Sequence, residues 1–345
     1  MVDKKQYYAI DIAKFISALL VICIHTGPLL DINKDANFVL VQIISRIAVP
    51  FFFLASGFLL FEKLDIHREW NDYENIRILK QYIARIAKLY ILWTILYLPF
   101  TYVVLHAQDG IRIDMILRYV RDFFFTGSFY HLWFLPALML SVVVAYILIM
   151  KVRIAKALCI ALVLYIIGMF GNVYPTILEQ IPVIDLIWKV YEGIFATTRN
   201  GLFFGTIFIV IGAYFANQSI YLRRPFVIVG FLLSLVLLFV ECYTIKFAGF
   251  MSDMASMYIM LIPCVSLLFL WLVRYRLQKK KIYKTMRQMS LLIYVSHIMF
   301  VSILLWTVPK ANSLVVYGVS VIASIVCSYG ILWLSRRIRI LKALY

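Results

Sequence analysis

Lys14 and His25 lie eleven residues apart in the first hydrophobic segment, Ala9 to Leu30, and Asp11 precedes the lysine by three. At 100° per residue those eleven steps make three helical turns plus about 20°, so the two side chains share a face, separated by about 16 Å along the axis. Asp11 lies on that face too. A charged group at bilayer depth costs about 2.5–3.5 kcal/mol on insertion scales, which makes a polar stripe in a spanning helix a functional site by default. The chemistry on offer is specific. A neutral imidazole takes a proton from a hydroxyl and returns it to a leaving group near neutral pH. An ammonium fixed by a carboxylate one turn away can anchor an anionic ligand. The packing alternatives are a hydrogen-bonded core histidine for His25 and a snorkelling side chain for Lys14.

Further polar residues fall at similar depth. His131 stands at the outer mouth of the fourth hydrophobic segment and His297 near the middle of the ninth, whereas His67 and His106 fall in loops. Arg46, one or two turns inside the second segment, must face a polar cavity or pair with an acid. It is followed by Ser56 and Gly57, a hydroxyl beside a position of close approach whose plainer reading is helix packing. Arg85 and Lys88, spaced i, i+3 at the start of the third segment, can hold phosphates or simply anchor the helix. Gly201-Leu-Phe-Phe-Gly205 reads as a packing face, with Arg199 and Asn200 at its outer end. The five cysteines all sit in hydrophobic segments without C-x-x-C spacing, so neither disulfides nor a metal site is expected. P-loop, dinucleotide, G-x-S-x-G and H-E-x-x-H motifs are absent.

The elements that must carry these residues follow from composition. A chain of 345 residues that is 64% hydrophobic is too apolar for a soluble globule. Apolar windows near 9–30, 38–61, 82–105, 130–150, 154–170, 199–217, 226–246, 254–273, 289–309 and 313–335 predict an all-α polytopic bundle of about ten transmembrane helices. With the N-terminus cytoplasmic, about 24 of the 34 basic residues fall in inside segments, including Lys4, Lys5 and the run from Arg274 to Arg287. Both termini are therefore expected in the cytoplasm. The charge of +17 is accounted for by topology, so nucleic acid is not an expected partner, and membrane lipids are. The first segment is too long and too charged for a cleaved signal peptide and is expected to remain as a span. Between spans, Ile111 to Phe125 has helical apolar spacing beside Arg112, Arg118 and Arg121, as in an interfacial amphipathic helix, and residues 172–198 suggest a second interfacial or re-entrant piece. No internal repeat is evident, which weakens an inverted-repeat transporter.

Several stretches together resemble the acyltransferase-3 family of ten-span membrane acyltransferases. They are Lys14-x10-His25, where the family has Arg or Lys eleven residues before His; Val49-Pro-Phe-Phe-Phe-Leu-Ala-Ser-Gly-Phe58; Arg85-x-x-Lys88; Tyr130-His-Leu-Trp-Phe-Leu135; and Met289-Ser-Leu-Leu-Ile-Tyr-Val-Ser-His297. The resemblance implies a single domain over residues 1–345 in a bacterial plasma membrane. It implies an O-acyltransferase that moves an acyl group, usually acetyl, from cytosolic acyl-CoA to a hydroxyl or amine of an extracytoplasmic glycan or glycolipid. No metal is implied. His25 would be the base, with Asp11 fixing Lys14; Lys14, Ser56, Arg85 and Lys88 would bind CoA. Arg46, His131, Arg199 and His297 would meet the acceptor or orient it. Lys14 and Lys88 stand where the family more often has Arg, so a point charge replaces a bidentate fork. The acceptor would be engaged by this membrane domain alone or with a partner; the oligomeric state is not legible.

The first span, the run from Arg46 to Phe53, and Arg199 to Gly205 also resemble the membrane half of the membrane-bound serine racemases of vancomycin-resistance clusters, a half associated with serine uptake. That resemblance implies an alternative, an amino-acid or glycan transporter in which Arg46 or Arg199 holds a carboxylate. A scaffold subunit, with the stripe merely pairing helices, is the third class.

Overall fold

The computed structural model describes residues 6–106, 112–252 and 255–345. Every regular element among them is helical: α1 Tyr8–Thr26, α2 Lys34–Phe38, α3 Ala48–Phe61, α4 Tyr73–His106, α5 Ile113–Phe125, α6 Phe134–Val152, α7 Ile154–Val173, α8 Pro175–Glu179, α9 Pro182–Phe195, α10 Thr206–Asn217, α11 Arg224–Phe247, α12 Leu261–Val273, α13 Lys281–Thr307 and α14 Ser313–Leu334. A π-helical turn, Val39–Ile44, and a 3-10 turn, Ser45–Ile47, fuse α2 to α3; a second π turn, Gly201–Gly205, leads into α10. Eight helical stretches among the described residues are long and apolar enough to cross a membrane, and two shorter ones, Gly201–Asn217 and Leu261–Val273, occupy the remaining expected spans. The chain is thus a multi-pass all-α membrane protein. Helix is the form in which an apolar segment satisfies its own backbone in lipid.

The chain divides into two compact units. The first comprises Met1–Phe52, Tyr221–Phe239 and Pro263–Tyr345. At its centre α1 packs on both α13 and α14. Tyr8 meets Tyr283 at 5.2 Å between ring centroids, and His25 meets His297 at 5.3 Å. Both sequence positions rise together, so α1 and α13 run parallel. The turn after α1 then holds the start of α14: the Asp31 carboxylate accepts the Ser313 N–H at 2.7 Å. The α14 helix returns antiparallel, and within this unit the start of α1 and the end of α14 lie at one end. Lys4 and Lys5 lie outside the described residues.

The second unit comprises Phe53–Ile220 and Val240–Ile262. Here α4 packs on α6, and α6, α7 and α10 pack together, with glycines at several of the close approaches. A Cβ on Gly57 would meet the Ile209 carbonyl at 2.5 Å, and one on Gly212 would strike the Leu54 carbonyl, so α3 and α10 touch backbone to backbone. Gly201 and Gly205 likewise lie against the Ala137 carbonyl and the Ser141 hydroxyl. The packing reading of Gly57 and of the G-x-x-x-G therefore describes what these glycines do.

One expected span is shorter than its apolar window. The window opens at 254, outside the described residues, yet α12 begins only at Leu261. The approach is irregular because side chains satisfy its backbone: Asn172 Oδ1 accepts the N–H of Ser256 (2.8 Å) and Met257 (3.0 Å), and the Glu241 carboxylate accepts those of Ile259 and Met260. Non-helical backbone at membrane depth is tolerated where protein groups replace the missing bonds. The expected amphipathic segment is α5; its first residue, Ile111, lies outside the described residues. Ile113, Leu117 and Phe124 of α5 and Val183, Leu186 and Ile187 of α9 are exposed. The two helices are joined by Phe125 on Phe195 at 5.1 Å and by Arg121 donating to the Gly193 carbonyl at 3.3 Å.

Candidate functional site

In the first unit, α1 places Asp11 and Lys14 toward its start and His25 in its last turn. Asp11 is buried, and the charges of both Lys14 and Arg287, the latter on α13, act on its carboxylate. A buried carboxylate persists only with such partners. It thereby ties two basic side chains to one end of the helix pair. At the other end His25, partly exposed, stands beside His297, which is completely buried. The His297 Nδ1 lies 2.7 Å from the Tyr294 carbonyl and 3.2 Å from that of Ile293. A carbonyl only accepts, so Nδ1 carries a proton in these contacts. The ring is further held by Tyr294, whose centroid is 6.3 Å away and which packs on Phe52.

Arg46 is buried in the 3-10 turn following the π turn, and its Nε and Nη2 both donate to Gln42 Oε1, at 2.9 and 2.6 Å. The partner seen is a neutral amide four residues back on the same helical run, where the sequence suggested a polar cavity or an acid. Gln42 lies in the π turn and Arg46 in the 3-10 turn after it, an i, i+4 pair on one face, and π bulges concentrate at functional positions.

The second unit holds Ser56, Arg85, Lys88, His131 and Arg199. The Ser56 hydroxyl is hydrogen-bonded to the Tyr82 phenol, and the Arg85 charge acts on the same phenol. Arg85 and Lys88 are exposed and lie about three turns into α4, which starts at Tyr73, earlier than the apolar window implies. His131 is buried among aromatic rings, with Tyr97 at 4.9 Å and Phe129 and Tyr130 each at 5.9 Å. Its turn is fixed by Gly127, whose φ of 92° and contact with the Trp133 backbone leave no room for a side chain. The same turn presents Trp133, and the Arg199 guanidinium lies over that indole, 4.9 Å from its centroid. Asn200 follows, its side chain accepting the N–H groups of Leu202 and Phe203 at the start of the second π turn.

Within the first unit the structure therefore brings together Asp11 with Lys14, and His25 with His297. Within the second it brings Ser56 to Arg85 through Tyr82. His131 and Arg199 are linked through the turn that carries Trp133. Tyr82 and Gln42 are residues that sequence reasoning passed over, while Trp133 and Arg287 enter it only within the Tyr130–Leu135 stretch and the basic run, with no site role. Two left a signal at helical spacing: Tyr82 lies three residues before Arg85, and Gln42 four before Arg46. Arg287 left none, because its partner is on a helix far away in sequence. Among the described residues no three His, Cys, Asp or Glu side chains gather to hold a metal ion.

Comparison with known proteins adds a family. The model Acyl_transf_3, described as an acyltransferase domain, matches residues 7–333. An amino-acid racemase of Enterococcus faecalis is 32% identical over 279 residues, covering 80% of this chain and 37% of its own length. A second amino-acid racemase of that species is 26% identical over 349 residues, covering 98% and 48%. A serine/alanine racemase of Enterococcus gallinarum is 31% identical over 290 residues, covering 84% and 40%. The chain spans less than half the length of these curated relatives. No solved structure matches it.

Proposed function

The chain belongs to the acyltransferase-3 family, and from that premise we propose that it transfers an acyl group, most simply acetyl, from cytosolic acyl-CoA to a hydroxyl or amine of an extracytoplasmic glycan or glycolipid. The observation that carries the reading is one helix with an acid–lysine pair near its start and a histidine, backed by a second histidine, near its end. His25 takes the proton of the acceptor hydroxyl as the oxygen attacks the thioester carbonyl. The carbon–sulfur bond breaks, and the proton passes to the departing thiolate. His297 is a positioning residue: a buried ring, locked through Nδ1, against which His25 is held and beside which a transient imidazolium is favoured. Lys14, fixed by Asp11, binds an anionic group of the donor, and Arg85 and Lys88 are assigned to phosphate groups. Arg46, His131 and Arg199 are assigned to the acceptor, His131 through the turn it supports. The orientation proposed is cytoplasmic termini in a bacterial plasma membrane, because the basic run preceding and opening α13 shares an end with Asp11 and Lys14.

A second reading is carriage of a serine-like amino acid. It draws on the names of the relatives and on the buried Arg46, a group suited to a carboxylate. Proteoliposomes separate the two. Label appearing on a glycan acceptor from labelled acetyl-CoA, in proportion to protein, is the expected result. Serine counterflow that needs no acyl-CoA, with no label transferred, would replace acyl transfer by transport.

A further inference from the structure

Within the first unit, the register of α1 and α13 brings Arg287 to the acid–lysine pair. The two parallel helices are packed along their length and meet at Tyr8 and Tyr283, whose ring centroids are 5.2 Å apart. Asp11 lies three residues beyond Tyr8, and Arg287 four beyond Tyr283. Each is close to one turn along and within about 60° of its tyrosine on the helical wheel. Both side chains therefore fall on the facing surfaces of the pair, at nearly one level. The action of the Arg287 charge on the Asp11 carboxylate agrees with that placement. Exposure grades across the group: Asp11 is buried, Lys14 half-buried and Arg287 exposed. A carboxylate withdrawn from water needs cationic partners, and here it draws one from each helix.

The two cations differ in what they offer. Lys14 is a point charge on a flexible stem, whereas a guanidinium is a planar fork with more N–H donors than one carboxylate takes. Arg287 is thus suited to lean on Asp11 from one side and to present a fork to an anion from the other, where it is exposed. Lys284, three residues earlier and also exposed, adds positive charge along that side of α13. An arginine that only anchored the helix would reach headgroups without a buried acid opposite it. We propose that Arg287 is a second donor-binding residue: it holds a phosphate of acyl-CoA beside Lys14, with Asp11 as the carboxylate the two cations share. The assignment rests on the acyl-transfer reading, which makes that phosphate one of acyl-CoA's. It adds a residue from α13 to a donor site otherwise drawn from α1, Ser56 and α4.

The test is equilibrium dialysis of labelled CoA and of labelled pantetheine, which lacks every phosphate, against the full chain in nanodiscs. Wild type should bind CoA about tenfold more tightly than Arg287→Gln, the worth of a charge-assisted contact, while the two bind pantetheine equally. Arg287→Lys, which keeps the charge and loses the fork, should recover part of the CoA affinity. Equal CoA affinity in wild type and Arg287→Gln overturns the assignment and leaves Arg287 as a headgroup anchor. A fall in affinity shared equally by pantetheine overturns it too, because a structural role does not distinguish the ligands. Absence of CoA binding by wild type overturns both this assignment and acyl transfer. CoA binding that depends on Arg287 as expected, with no label passing from acetyl-CoA to an acceptor, would remove acyl transfer alone and leave the phosphate contact standing.

Discussion

His25 and His297 are the same residue type at similar depth, yet their surroundings differ. His297 has no exposed surface and spends Nδ1 on backbone carbonyls, which suits it to hold a neighbour. His25 retains exposed surface in the last turn of α1, which suits it to meet a substrate. Lys14 admits a direct check. Lys14→Ala should raise the acyl-CoA concentration for half-maximal rate about tenfold, the worth of a charge-assisted contact, whereas Lys14→Arg should stay near wild type. Unchanged donor dependence in the Ala variant would remove Lys14 from donor binding. At this scale the sequence was most informative where partners share a helix. The stripe of Asp11, Lys14 and His25 could be read from a 100° wheel, as could Gln42 with Arg46. The meeting of His25 with His297 and the action of Arg287 on Asp11 could not, because each depends on α1 finding α13 more than 270 positions later.

Helices appeared where apolar windows predicted them, and their irregularities were invisible beforehand. The two π turns, Val39–Ile44 and Gly201–Gly205, each adjoin an arginine assigned to the acceptor, but an inserted residue leaves no mark in hydropathy. The late start of α12 was equally hidden, since it rests on Asn172 and Glu241 from other helices. The start of α4 gives a pH-dependent prediction. Asp72 accepts the Asn75 N–H at 3.0 Å and pairs with Arg68 at 3.2 Å, and the backbone bond first, then the guanidinium, holds its carboxyl below the ordinary range. A depressed folded value adds stability that is present above the ordinary carboxylate value and lost as pH falls through the folded one. Amide exchange at Asn75 and Ile76 should therefore accelerate progressively as pH drops below about 4, beyond the intrinsic trend. Asp72→Asn should show no such progression. Identical pH profiles in the two proteins would mean that the carboxylate does not cap the helix.

For the whole molecule, the all-helical multi-pass fold was legible because bilayer thickness forces about 20 apolar residues per span, a signal too long to be mistaken. The division of the chain into two compact units was not, since three helices pass through it without a break in composition. The parallel run of α1 and α13, with α14 returning, gives the topology a concrete consequence. Single cysteines placed at Lys279 and at Arg336 should both react with an impermeant thiol reagent only from the cytoplasmic face of oriented vesicles. Labelling of either from outside would reverse the assignment of donor and acceptor ends. The central claim is that the histidine at the far end of α1 does the chemistry of transfer, and proteoliposomes with acetyl-CoA on the cytoplasmic side and a glycan acceptor on the other test it. His25→Gln, with an unchanged thermal midpoint and unchanged acetyl-CoA binding, should transfer label at least about a hundredfold more slowly than wild type; transfer at the wild-type rate in that variant would contradict the account.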